Sequence, residues 1–219
     1  MTEVEVFFCH LIEMRIQPSK GENLSQYVWG NKETQFFYQL DPLKILDSID
    51  ELGLKTTGRS LALNSMENRV YEVEISDPLN EGNSPSDYFV IAKYYRPGRW
   101  SKEQILEEHQ FLKDLTNHEI PAIAPLEFGG ETLFTEKDTG IYYCLFPKQG
   151  GRNPDEYNDD QLEQLGRLLG RIHSVGKARK ANNRIALTPD TFGRQNVAFL
   201  RDNGFLPPEI KDLYLKTSD

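Results

Sequence analysis

A lysine near the end of an apolar run constrains this chain more than any other feature. The run reads Tyr88-Phe89-Val90-Ile91-Ala92-Lys93-Tyr94-Tyr95-Arg96-Pro97. Its composition predicts a strand over residues 88–94, and the two-residue alternation of a strand puts Phe89, Ile91 and Lys93 on one face. A lysine sharing a face with two apolar residues has two explanations. Its ammonium can snorkel into water at the strand end, or it can meet the phosphate of a ligand.

By the residues alone the first is the default, and the flanking segments show what the second would need. Residues 60–63 read as a first strand, and residues 64–68 as a polar turn without glycine. Val70, Tyr71, Val73 and Ile75 read as a second strand, and residues 76–87 as a loop rich in Pro, Asn, Gly and Ser. After the lysine strand, Arg96-Pro97-Gly98-Arg99 turns the chain. Ser101 with Gln104 three residues on is a capping box that opens a helix. Ile105, Leu112 and Leu115 mark the apolar side of that helix. Glu108 lies one turn before Leu112, on the inner side, whereas Glu107 stands about 100° round the axis. A triphosphate needs a fixed cation, and a flexible ammonium needs an anion to hold it. Lys93 and Glu108 are therefore the candidate pair.

The rest of the chain is organised around this unit. Residues 1–35 read as an N-terminal extension of unknown role. Asp41 can cap a helix, Pro42 suits its first position, and Leu43, Ile45, Leu46, Ile49 and Leu52 are expected on its apolar face, with Gly53 at the stop. Packing is the expected role of this helix. A DNA-recognition role is disfavoured by Asp47, Asp50 and Glu51. Strands are expected at 126–128, 132–135 and 141–146, with Gly129-Gly130 as a hairpin turn. Together these predict a small antiparallel sheet of about five strands between Ser60 and Phe146, with the Ser101 helix packed on it. Pro147 ends the last strand, and the connector 148–153 is the expected domain boundary. A helix starting near Asp159 or Asp160 is expected to bury Leu162, Leu165, Leu169 and Ile172, to let a neighbour approach at Gly166 and Gly170, and to end at Gly176. His173 is expected to pack in the core. Residues 177–204 read as irregular, with 188–196 a surface loop, before a short helix after Pro207-Pro208.

Charge and cysteine content narrow the partners. The chain has 219 residues and a net charge of −9, from 25 basic and 34 acidic side chains. That balance disfavours nucleic acid or an anionic membrane as the main partner. Cys9 and Cys144 lie far apart in apolar runs, so a reducing compartment is expected, by default the cytoplasm. No apolar run reaches membrane-spanning length, and the start lacks the pattern of a signal peptide. The four histidines and two cysteines lack metal-ligand spacing, so no zinc site is expected.

Four segments together carry a family resemblance. They are Leu63-Asn64-Ser65-Met66-Glu67-Asn68-Arg69-Val70-Tyr71, Lys93-Tyr94-Tyr95-Arg96-Pro97, Gln104-Ile105-Leu106-Glu107-Glu108-His109-Gln110-Phe111 and Leu165-Gly166-Arg167-Leu168-Leu169-Gly170-Arg171-Ile172-His173. They resemble the stress response kinase A group, the RdoA/YihE-type bacterial serine/threonine protein kinases, within the wider aminoglycoside- and choline-kinase-like fold. The likeness runs from about Phe36 to the C-terminus and is densest between Leu63 and His173.

The resemblance implies an α+β fold: a protein-kinase-like N-lobe over 36–147, then a hinge and the incomplete helical start of a C-lobe over 148–219. It implies that Ser65 lies in the turn over the ATP phosphates, that Lys93 contacts the α- and β-phosphates, and that Glu108 pairs with this lysine. Leu145, Phe146 and Pro147 match the hinge that receives adenine, and Glu67 and Asn68 would support the phosphate turn. ATP and magnesium are the implied cofactors. The partners would be ATP and an unidentified protein substrate, with no nucleic acid or membrane, and the chain is expected to be a monomer.

The family's histidine-glycine-aspartate catalytic loop, its metal-binding asparagine and its later metal-binding aspartate have no counterpart in residues 1–219. The resemblance places them beyond Asp219, so no catalytic or metal residue is assigned and the chain alone is expected to be inactive. Asp190 and Asn196 are the nearest candidates by type but lack the family's pattern. Two functions follow: the ATP-binding part of a serine/threonine kinase, or a truncated, non-catalytic nucleotide-binding or interaction module.

Overall fold

The computed structural model describes residues 37, 39–151, 154 and 156–218. The expected extension over 1–35 lies outside the described residues, as do Cys9 and His10. The described residues group into two compact units, one running through residue 182 and the other from residue 183 onward.

The first unit opens with helix α1, Pro42–Asp50. The Asp41 carboxylate accepts from the Lys44 amide at 3.0 Å, and Pro42 fills the first turn, where its missing N–H costs nothing. Ile45 and Ile49 are fully buried, worth about 2 kcal/mol each in transfer terms. Leu43 corrects the expected apolar face: it is 71% exposed, because two residues before Ile45 lies about 160° round the helix.

Five strands follow: β1 (Thr56–Leu63), β2 (Arg69–Ile75), β3 (Phe89–Tyr94), β4 (Phe134–Thr135) and β5 (Tyr142–Pro147). They form the expected antiparallel sheet, in the order β1-β2-β3-β5-β4. β1 begins earlier than the sequence suggests. Thr56 pairs with Ile75 and Ser60 with Val73, so four steps along β1 match two along β2. Gly58, at φ +89°, takes the left-handed backbone that this bulge demands. The strand expected at 126–128 contributes only a bridge, Phe128 to Glu131. Gly129 and Gly130, at φ +60° and +86°, close that tight turn as expected.

The sheet has two differently covered faces. Val73, Val90, Ala92, Tyr94, Tyr143 and Leu145 join Ile45 and Ile49 of α1 in one core. Ser48 ties helix to sheet through Tyr94: the hydroxyls meet at 2.6 Å, and Tyr143 Oη donates to the Ser48 carbonyl at 2.7 Å. The other face carries Val70, Ile91, Cys144 and Phe146, which pack with Ile105 of helix α2, Lys102–Asn117. Ser101 and Gln104 cap α2 reciprocally, as predicted.

Helix α3, Asp159–Ala178, starts where expected, with Asn158 as its cap. Its buried side is the predicted one only at Ile172. Leu168, Ile172 and Val175 pack with Phe111, Leu115 and Ile120, whereas Leu162, Leu165 and Leu169 are exposed. Two apolar stripes overlap on this helix, and periodicity alone does not say which finds a partner. His173 is also exposed, correcting its placement in the core. Gly166 and Gly170 face open space rather than a neighbour. Gly176 lies inside the helix rather than at its stop, and a Cβ there would make an ordinary contact with the Phe111 ring at 3.5 Å.

In the second unit, residues 189–196 are helical, where the sequence predicts a surface loop over 188–196. A wide turn, Asp190–Arg194, runs into helix α4, Gln195–Asp202, followed by α5, Pro208–Ser218. The Asp190 carboxylate accepts from the Gln195 side-chain Nε2 at 2.9 Å, and the Asn196 side chain donates to the Phe192 carbonyl at 3.1 Å. Both side chains serve their own helical turn. Among the described residues no helix is long and apolar enough to cross a membrane.

Candidate functional site

The α2 face of the sheet carries the site. β3 pairs with β2 so that Lys93 lies opposite Val70, and with β5 so that it lies opposite Cys144. The turn between β1 and β2 therefore hangs over the same end of the sheet as the lysine. Lys93 Nζ donates to Glu108 Oε1 at 2.9 Å, with 19% and 28% of the two side chains exposed. The expected pair is formed, and enough of it reaches solvent to meet a ligand. Glu107 is engaged elsewhere, accepting from the Asn182 amide at 2.8 Å. The choice between the two glutamates thus follows helix geometry.

The glycine-free turn over 64–68 is held by its own side chains. Asn68 is buried, and its Oδ1 accepts from the Arg96 amide at 3.2 Å. Glu67 Oε1 accepts from Arg99 Nε and Trp100 Nε1, each at 3.0 Å. The two residues cross-brace the turn to the loop before α2, which is what a turn lacking glycine needs to hold one shape. Ser65 stands half-buried between Asn64 and Met66, both exposed.

Leu145 and Phe146 sit inside β5, paired with Ala92 and Ile91. Only Phe146 shares the α2 face with Lys93. Leu145 belongs to the opposite core, and its carbonyl accepts from the Leu126 amide at 2.7 Å.

Four further residues stand at this site, and the reading of the sequence assigned no role to the contacts among them. The Lys93 ammonium lies 4.8 Å from the centre of the Tyr95 ring. Tyr95 Oη shares a hydrogen bond with His109 Nε2 at 2.8 Å, and His109 Nδ1 shares one with Thr132 Oγ1 at 2.9 Å. Cys144 Sγ lies 3.4 Å from Tyr95 Oη. Burial pushes His109 down to about 4, with Lys93 acting in the same direction and Glu108 against it. The imidazole is therefore neutral near pH 7, one nitrogen donating and the other accepting. The only hint in the sequence is position: Tyr95 follows Lys93 by two residues, and His109 follows Glu108 directly. Among the described residues no group of three or more histidines, cysteines and carboxylates is placed to hold a metal.

A lysine held by a glutamate between a five-stranded antiparallel sheet and a capped helix defines the N-lobe of a kinase-like fold, followed here by the helical start of a C-lobe. The chain belongs to the phosphotransferase enzyme family, which it matches over residues 62–213.

Among curated proteins it is similar to stress response kinase A of Escherichia coli K12, 36% identical over 189 residues, covering 86% of this chain and 54% of that protein. It is also similar to the Salmonella typhimurium LT2 serine/threonine protein kinase RdoA, 39% identical over 185 residues, covering 84% of this chain and 52% of that one. The chain thus spans about half the length of the curated relatives it matches. Among solved structures it resembles the amicoumacin kinase hAmiN in complex with AMP-PNP, Ca2+ and Ami. That likeness has a TM-score of 0.57 at 21% identity and covers 69% of this chain and 44% of that one. It is a likeness of fold.

Proposed function

We propose that the sheet and α2 form the nucleotide-binding part of an ATP-dependent serine/threonine protein kinase. The observation that carries this reading is the Lys93–Glu108 pair, partly open to solvent at the end of the sheet where the braced turn hangs. In this reading Lys93 binds the α- and β-phosphates of ATP and Glu108 fixes the ammonium. Ser65 lies in the turn over the phosphates, and Glu67 and Asn68 keep that turn in shape. The base is received at the end of β5, at Leu145, Phe146 and Pro147, with the Phe146 ring on the ligand's side.

The reaction would pass the γ-phosphoryl group to a protein hydroxyl. The bond from the γ-phosphorus to its bridging oxygen breaks, a bond to the acceptor oxygen forms, and ADP leaves. The relatives named as stress response and serine/threonine kinases support this assignment. The role read for these residues is to hold the nucleotide.

Titration of the 219-residue chain with ATP tests the proposal. Lys93→Ala removes a charge-assisted contact and should weaken binding about tenfold to a hundredfold while the fold is kept. Equal affinity in the two proteins would refute the nucleotide site. A radiolabelled phosphoryl-transfer assay on the same chain tests its expected inactivity; robust magnesium-dependent turnover would overturn that part.

A further inference from the structure

Two rungs join the lysine strand to α2. The first is the Lys93–Glu108 ion pair; the second is the hydrogen bond from Tyr95 to His109, the residues two beyond Lys93 and next to Glu108. The rungs differ in kind. The ion pair is partly solvated, and such a pair alone holds two elements weakly. Tyr95 and His109 are each only 3% exposed, and a buried neutral hydrogen bond is expensive to break because water cannot replace the lost partner.

The second rung is also braced at both ends. Thr132 holds the far side of the imidazole, and Tyr95's amide donates to the Tyr142 carbonyl at 2.8 Å, continuing the pairing of β3 with β5. The Tyr95 ring lies against the ammonium, so one side chain both fixes the angle of α2 and offers a face to the cation.

We propose that Tyr95 and His109 are positioning residues that set α2 so that Glu108 meets Lys93 before any nucleotide arrives. The pair then needs no closure step to form, and the ammonium is preorganised for the phosphates. This inference rests on the nucleotide reading for its consequence, not for its geometry.

The ammonium protons of Lys93 in the 219-residue chain, labelled with 15N at lysine and free of nucleotide, report the pairing directly. Their signal is assigned by its loss in Lys93→Ala. Tyr95→Phe keeps the ring under the cation and removes the hydroxyl that meets His109 and, more distantly, Cys144. In a folded Tyr95→Phe protein those protons should exchange with water about five- to tenfold faster. Unchanged exchange would overturn the proposal.

Should Tyr95→Phe lose its fold, His109→Gln and His109→Leu decide. Glutamine can still reach the Tyr95 hydroxyl and should restore slow exchange, whereas leucine should not; equal exchange in the two overturns the inference. ATP titration separates the underlying reading. If Lys93→Ala binds ATP as the unaltered chain does, the nucleotide site fails while the exchange rates still decide whether Tyr95 and His109 position the lysine.

Discussion

The two faces of the central sheet use the same strands for different ends. On the α1 face, β3 and β5 contribute Val90, Ala92, Tyr94, Tyr143 and Leu145, and the polar groups there are hydroxyls and a carbonyl bonded to one another. Burial pushes Tyr143 up to about 12 and Tyr94 higher still, so both phenols stay neutral. On the α2 face, the same strands contribute Lys93, Tyr95 and Cys144, and α2 answers with Glu108 and His109. One face closes over hydroxyls, with the buried Glu136 carboxylate acting on its two phenols; the other keeps an ion pair partly open to water. Residues adjacent in sequence, Lys93 and Tyr94, thus serve opposite roles because a strand alternates.

The largest break of this contrast is expected on the closed face. Ile49→Ala should cost about 3–4 kcal/mol by leaving a cavity between α1 and the sheet. Denaturant unfolding measures that loss, while ATP affinity per folded molecule should stay constant. A matching fall in affinity would mean the faces are coupled.

The second test titrates the open face. His109 is held near 4 in the folded chain against about 6.5 unfolded. The unfolded chain therefore binds more protons between those values. The stabilisation is fully present above about pH 6.5 and is lost as pH falls toward 4, by roughly 3 kcal/mol in all. Unfolding measured at pH 7 and pH 4.5 should show this loss, and His109→Gln should lack His109's share of it. An identical pH dependence in both proteins would place the imidazole in contact with water.

The smallest effect is expected at the turn. Glu67→Ala leaves Arg99 and Trp100 without their shared acceptor and should cost about 2 kcal/mol. It should also weaken ATP binding, since the turn over 64–68 loses its brace to the loop before α2. Lost stability with unchanged affinity would make Glu67 a purely architectural residue.

Local signals in the sequence were clear because they act over three or four residues. The Asp41-Pro42 and Ser101/Gln104 caps are formed as read. So is the alternation that puts Lys93 on the α2 face, and the helical spacing that prefers Glu108 to Glu107. The errors came where a pattern had two solutions. α3 offers a Leu162–Leu165–Leu169 stripe and a Leu168–Ile172–Val175 stripe, and the second docks. Leu43 belongs to an apolar cluster in sequence but to the solvent side in space.

What the sequence determined by itself is the helix caps, the main strands and the face each strand presents, because backbone periodicity and capping depend only on near neighbours. What only the tertiary structure decided is which of those faces meet. Tyr95 and His109 are separated by the loop before α2, Glu67 lies 33 residues from Trp100, and Thr132 lies 23 residues from His109. No periodicity spans such distances. These contacts exist because packing the sheet on α2 buries polar groups that must then bond to one another, a demand that arises only once water has been excluded.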